Sequence, residues 1–223
     1  MVATSQINEG LLVITDKQTD GKGQRGNSWM TTPGMNLTFT LVLKPGFLKV
    51  TEQFQMTMVI SLALKQVLQY YVPRELVNIK WPNDLYINDR KTAGILIENN
   101  LRGNTIDHML VGIGLNVNQL EFGGLNATSV LKETGEMTDL DVLLEDLLLS
   151  IEQHYLKLRN GKVHLLRNEY LNHLRWKDEW HRYSSNGEAF NGRIIGVDQL
   201  GRLIVETTSG QKAFDIKDIS FLK

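Results

Sequence analysis

The sequence predicts an α+β fold: a mixed or antiparallel sheet with helices packed against it, followed by a small C-terminal β-barrel. Three observations carry that prediction. Between residues 77 and 114, short apolar runs alternate with turn-forming residues, as in a strand meander. Leu140, Leu143, Leu144, Leu147, Leu148, Ile151, Tyr155 and Leu158 recur at helical spacing along one face. After Trp176 the pattern returns to short strands, separated by Asp198-Gln199-Leu200-Gly201 and Ser209-Gly210.

Taken in order, Leu11 to Ile14 is an apolar run that reads as a buried strand, and Asn36 to Leu43 alternates as a half-buried strand should. Pro45 and Gly46 break the chain. From Thr51, a candidate N-cap, to Tyr71 the apolar residues are dense enough for a helix buried on more than one side, and Pro73 ends it. Val77–Lys80, Leu85–Ile87, Ala93–Glu98 and His108–Gly114 are expected strands, with Asn88-Asp89 as a tight hairpin turn. Thr138 is the expected cap of the leucine-rich helix, and Lys162 to Arg175 is expected to form a third helix after Gly161. Gly192–Val197, Arg202–Thr208 and Ala213–Ile216 are the expected strands of the terminal barrel. A meander of that length buries little by itself, so it should lean on the main domain. The expected division is a domain over 1–176 and a small one over 177–223.

At 223 residues and 42% hydrophobic content the chain can hold a packed core. Lys plus Arg number 24 against 25 Asp plus Glu, a balance that gives no reason to expect nucleic acid or a membrane surface as partner. The absence of cysteine removes disulfides, thiolate catalysis and cysteine metal sites. No apolar run is long enough to span a bilayer, so a cytoplasmic protein is expected. The five histidines show no ligand spacing, and a zinc site is not expected.

Candidate chemistry lies in four stretches. The first is the loop from Gln18 to Trp29, where Gly21, Gly23 and Gly26 alternate with Lys22, Gln24 and Arg25. Glycine lets backbone approach a ligand and lets consecutive N–H groups converge on an anion, while Trp29 offers a stacking face. This reads as a site for a phosphate and a carboxylate, although such loops often only turn. The same glycines fit G-x-G-x-x-G, but Asn27 to Asn36 has no helical periodicity, which argues against a dinucleotide fold. The second stretch is Lys80-Trp81-Pro82-Asn83-Asp84, where a strand delivers a lysine and, past a proline bend, a carboxylate. Lys80 and Asp84 suit phosphate and Mg²⁺, or are surface charges beside a turn. The third, from Arg90 to Glu98, places Lys91 at the head of an apolar strand with Gly94 three residues on. The fourth is Gly112-Ile113-Gly114-Leu115-Asn116-Val117-Asn118, whose glycines expose backbone or make room for a neighbouring side chain.

Together these stretches resemble the biotin protein ligase family. Its glycine- and arginine-rich loop, K-W-P-N-D, K-x-A-G-I-L-x-E and G-x-G-x-N-x-N segments occur here in the family's order. The resemblance runs from about residue 11 to the C-terminus. It implies a class II synthetase-like catalytic domain with an SH3-like C-terminal domain. It also implies the chemistry: biotin carboxylate attacks the α-phosphorus of Mg²⁺-bound ATP to give biotinyl-5′-adenylate, and a lysine of a biotin carboxyl carrier domain then takes the biotinyl group. By motif position, Lys91 and Lys80 would be catalytic. Gln18, Gly21, Lys22, Lys91, Gly94, Gly112 and Gly114 would line the biotin side. Gln24, Arg25, Trp29, Lys80, Asn83, Asp84 and Asn116 would serve ATP and the adenylate, with Asp84 on Mg²⁺. A homodimer is consistent with the family.

Two departures qualify the resemblance. Lys22 and Gln24 stand where the family carries arginines, and Gln24 is expected to weaken the grip on the adenylate. The family's S-T-N segment, which contributes to the biotin pocket, is not found upstream of the loop, which leaves a truncated or degenerate relative open. The N-terminal helix-turn-helix of bifunctional members is not found either, so a monofunctional type without operator binding is expected. Two alternatives stay open: a relative that holds biotin or its adenylate without transferring it, and an enzyme of the lipoate ligase or octanoyltransferase type.

Overall fold

The computed structural model describes residues 8–18, 21, 23 and 29–222. Its backbone is built on two antiparallel sheets. The first has six strands: β1 (Leu12–Ile14), β2 (Asn36–Leu43), β3 (Val77–Lys80), β4 (Asp84–Ile87), β5 (Arg90–Arg102) and β6 (Thr105–Asn116). Their order is β1-β2-β6-β5-β4-β3, and every ladder is antiparallel. The expected Asn88-Asp89 hairpin joins β4 to β5, with Asn88 at φ 54°.

Helix α1 (Phe54–Leu68) is buried along almost its whole length, as its apolar density predicts. It begins later than Thr51, which sits instead in the 3₁₀ turn Val50–Glu52, where Glu52 accepts from the Lys49 N–H at 3.0 Å. The short α2 (Val130–Thr134) was not expected; Ser129 caps it and Gly135, at φ 79°, ends it. Helix α3 (Leu140–Arg159) carries the leucine stripe, but its cap is Asp139 and not Thr138. Asp139 Oδ1 accepts from the N–H groups of Asp141 and Val142, whereas the backbone of Thr138 is already paired with the Asn118 side chain. Helix α4 (Val163–Asn172) stops before Arg175 because the chain there joins the edge of β3: Ile79 N–H donates to His173 O, and Arg175 N–H to Ile79 O.

The second sheet has five strands, β7 (Trp180–Ser185), β8 (Glu188–Val197), β9 (Leu203–Thr207), β10 (Gly210–Phe214) and β11 (Ser220–Phe221), in the order β10-β9-β8-β7-β11. Strand β7 escaped the sequence reading because Trp-His-Arg-Tyr-Ser-Ser lacks an apolar alternation, although Tyr183 within it is fully buried. This sheet docks on the first. Trp81 Nε1 donates to Gly201 O at 2.9 Å, Arg167 donates to the carbonyls of Val197 and Asp198, and the two sheets share one apolar cluster. Among the described residues, no helix is long and apolar enough to cross a membrane.

Candidate functional site

Strand alternation gives the six-stranded sheet two unlike faces. One rung of the ladder sets Thr38 of β2 beside Gly114 of β6, Gly114 beside Gly94 of β5, and Gly94 beside Asp84 of β4. The next rung sets Thr40 beside Gly112 and Gly112 beside Leu96. Where strands usually project bulky side chains, this face has bare backbone and two hydroxyls. The result is a hollow of about 610 Å³, within the size range of small-molecule sites.

Lys91 reaches this hollow through an irregularity. Leu85 pairs with Ala93 but Tyr86 pairs with Lys91, so the register slips by one residue and Thr92 is extra. A bulge of this kind re-aims side chains: it puts Lys91 on the same face as Asp84 and Gly94, where unbroken alternation would turn it toward the core. Lys91 Nζ lies 2.6 Å from Asp84 Oδ1 and 5.7 Å from the centre of the Trp29 ring. Its backbone is clamped, with Lys91 N–H donating to Asn126 O and Thr128 N–H donating to Lys91 O.

Trp29 lies on the glycine floor. A Cβ on Gly114 would sit 2.4 Å from Trp29 Cε2, and one on Gly94 would sit 3.4 Å from Trp29 Cζ3. The backbone N–H of Trp29 donates to Gly21 O at 2.9 Å, which ties the backbone at Trp29 to the glycine loop. Two polar atoms here are buried without a hydrogen-bond partner among the described residues: Trp29 Nε1 and Thr38 Oγ1.

Lys80 approaches from the β3 end. Its Nζ donates to Tyr86 Oη at 3.3 Å and lies 5.3 Å from the Tyr86 ring and 5.1 Å from that of Phe221. Burial, reinforced by the charge of Asp84, pushes the Tyr86 hydroxyl up to about 12, so it stays neutral and can accept from the ammonium. Asn83 holds the bend to β5, its side-chain amide donating to Ile95 O at 2.5 Å.

Of the residues singled out from sequence, Gln18, Trp29, Lys80, Asn83, Asp84, Lys91, Gly94, Gly112 and Gly114 line this one cavity. Gly21 is buried behind Trp29. Asn116 stands apart from the described lining, buried and donating to Thr128 O at 3.0 Å. Lys22, Gln24 and Arg25 lie outside the described residues. The sequence reading missed Thr38 and Thr40, which the polar half of the β2 alternation could have indicated, and Ile219, Ser220 and Phe221, which reach the cavity from the second sheet. As to metal, no group of three or more His, Cys, Asp or Glu comes together among the described residues. Of the two carboxylates in the described lining, Asp84 and Glu98, Asp84 lies beside Lys91 and suits a cation held mainly by substrate phosphates and water.

Residues 2–116 match the model of the biotin/lipoate A/B protein ligase family. The bifunctional ligase/repressor BirA of Bacillus subtilis is 30% identical, over 98% of this chain and 68% of its own length. The biotin--[acetyl-CoA-carboxylase] ligase of Paracoccus denitrificans is 30% identical, over 94% of this chain and 89% of its own. Among solved structures, the biotin protein ligase from Aquifex aeolicus in complex with biotin and ATP superimposes with a TM-score of 0.82 at 25% identity, covering 99% of this chain and 92% of that one.

Proposed function

Because the chain belongs to the biotin/lipoate A/B protein ligase family, we propose that it is a biotin protein ligase, which activates biotin with ATP and transfers it to a lysine of a biotin carboxyl carrier domain. The observation that carries this reading is the convergence of all four motif stretches on one cavity, where Lys91 pairs with Asp84.

The chemical difficulty is that a carboxylate must attack a phosphate, two anions that repel. Lys91 is assigned to the meeting point, where its ammonium neutralises the biotin carboxylate and then the charge growing on the α-phosphate oxygens. The carboxylate oxygen bonds to phosphorus as the bond to pyrophosphate breaks. Lys80, seated between Tyr86 and Phe221, is assigned to the phosphates, and Trp29 to the adenine face. The glycine rungs and the hydroxyls of Thr38 and Thr40 are assigned to the biotin rings, where bare backbone lets a flat ligand lie close to the sheet. In the second half-reaction the neutral amine of the acceptor lysine attacks the biotinyl carbonyl and AMP leaves, Lys91 holding the phosphate charge that departs. Asp84 would hold Mg²⁺, which would supply further neutralisation of the charge on the leaving pyrophosphate. Residues 177–223 are assigned to an SH3-like domain that closes one wall of the site through β11.

The test is calorimetric titration of the chain with biotin, then addition of ATP and Mg²⁺ while pyrophosphate release is followed. Biotin heat and pyrophosphate release that vanish together in Lys91→Ala are expected. A chain that neither binds biotin nor releases pyrophosphate sinks the proposal.

A further inference from the structure

The bulge that turns Lys91 into the cavity is held from outside the sheet, by a carboxylate that none of the four motif stretches contains. Thr92, the extra residue of the bulge, is fully buried, and among the described residues its hydroxyl has no hydrogen-bond partner. That side chain therefore gives the kink no polar anchor. The ladder gives none either, because a bulged residue is unpaired and a slip to regular pairing carries Lys91 to the other face. The grip comes from the 126–128 segment, which bonds both the N–H and the C=O of Lys91 in a short parallel bridge at Ala127.

Glu133 locks that segment to the β4–β5 hairpin. It stands on α2 with its side chain only 8% exposed, and its carboxylate meets three donors. Arg90 Nη2 lies at 2.7 Å and Asn88 Nδ2 at 3.1 Å, both from the hairpin that leads into Lys91, and the third donor is the hydroxyl of Thr128 from the gripping segment. A carboxylate so enclosed is costly unless its lone pairs are met, and charge-assisted hydrogen bonds are the strong ones. One buried charge thus joins the residue before Lys91 to the segment that clamps it. The helix that carries Glu133 is itself fixed: Ser129 caps it, and Leu131 N–H donates to Val117 O just past the end of β6.

We propose, on the ligase reading above, that Glu133 is a positioning residue for Lys91. It lies outside the described lining of the cavity and acts on the chemistry only through the lysine it orients. Lys91 has to present its ammonium where a carboxylate meets a phosphate, and a misplacement of about 1 Å costs on the order of 10²-fold in rate.

Two measurements on Glu133→Ala test this. The first is amide hydrogen exchange of the chain alone, which needs no turnover. The N–H groups of Lys91 and Thr128, the two donors of the bridge, are expected to exchange about tenfold faster, the scale of one lost charge-assisted hydrogen bond, while that of Ile113 on β6 keeps its protection. Unchanged exchange at Lys91 and Thr128, or equal acceleration at all three, overturns the proposal. The second is pyrophosphate release at saturating biotin, ATP and Mg²⁺, expected to slow about 10–100-fold in Glu133→Ala. In the Lys91→Ala background the same substitution is expected to change the residual rate by less than about twofold, because residues that act as one unit are not additive. A wild-type rate in Glu133→Ala, or the same slowing with and without Lys91, overturns the positioning role. Where Glu133→Ala does not fold, Glu133→Gln, which keeps the shape and removes the charge, takes its place in both measurements. A wild type that releases no pyrophosphate refutes the ligase reading, whereas the exchange pattern still decides whether Glu133 holds the backbone at Lys91.

Discussion

The two faces of the six-stranded sheet are made by the same strands and differ in almost everything else. On the inner face, Phe39, Leu41, Val111, Ile113, Leu85 and Ala93 are buried in an apolar cluster with α1 and α3, and Ser150 of α3 even donates to Ala63 O of α1. On the outer face the same rungs present Thr38, Gly114, Gly94 and Asp84. Among the described residues, buried polar atoms without a hydrogen-bond partner occur on both sides: Ser61 Oγ and His154 Nε2 in the helices, and Trp29 Nε1 and Thr38 Oγ1 on the outer face. The lesson is that stability and function are separated by strand alternation, so neighbouring residues should fail in different ways when changed.

The largest effect should come from Lys91→Ala on the outer face. Loss of its charge at the meeting point of two anions is expected to slow adenylate formation by about 10²–10³-fold, measured as pyrophosphate release, with little change in melting temperature. Leu115→Ala, next to Gly114, should do the reverse. It empties a fully packed position outside the cavity lining and is expected to cost about 3 kcal/mol in denaturant unfolding, while biotin affinity below the transition stays near that of the wild type. A variant at Leu115 that lost ligand binding without losing stability would break the comparison.

Gly114→Ala probes the outer face more gently. Its methyl meets the indole of Trp29 and must displace it, so ATP affinity should fall about tenfold, the scale of one lost base stack, with no comparable loss of stability. The smallest effect lies far from the site. Burial, aided by the charges of Lys65 and Arg74, lowers His173 to about 4. It therefore stays neutral in the folded chain while the unfolded chain protonates near 6.5, so the unfolded state binds the extra proton and stability falls as pH drops from about 6.5 to about 4. His173→Gln should flatten that part of a melting-temperature profile and leave biotin affinity at neutral pH unchanged.

Much of this was readable in advance. The long helices, most of the strands and the Asn88-Asp89 hairpin follow from periodicity and turn chemistry, because those signals lie in adjacent residues. Lys80, Asp84, Lys91 and the paired glycines, which line one cavity, stand in compact motifs that can be read locally. Other features were hidden. Thr138 looked like a helix cap until the Asn118 side chain, twenty residues away, was seen to occupy its backbone. That the Asn116 amide donates to Thr128 O, twelve residues away, was equally hidden. Phe221 gave no sign of reaching the cavity, since nothing local says where a terminal strand will dock.

The residues alone settled which segments are helix or strand, which carry charge and glycine, and in what order the motifs come. Packing decided the rest. Lys91 stands on the cavity face only because the register slips by one residue at Thr92, and Thr38, Gly114, Gly94 and Asp84 form one row only because four strands align. Such alignment is fixed by how distant side chains fill one another's spaces. No stretch of sequence contains it, because each strand's register depends on partners that come beside it only when the chain folds.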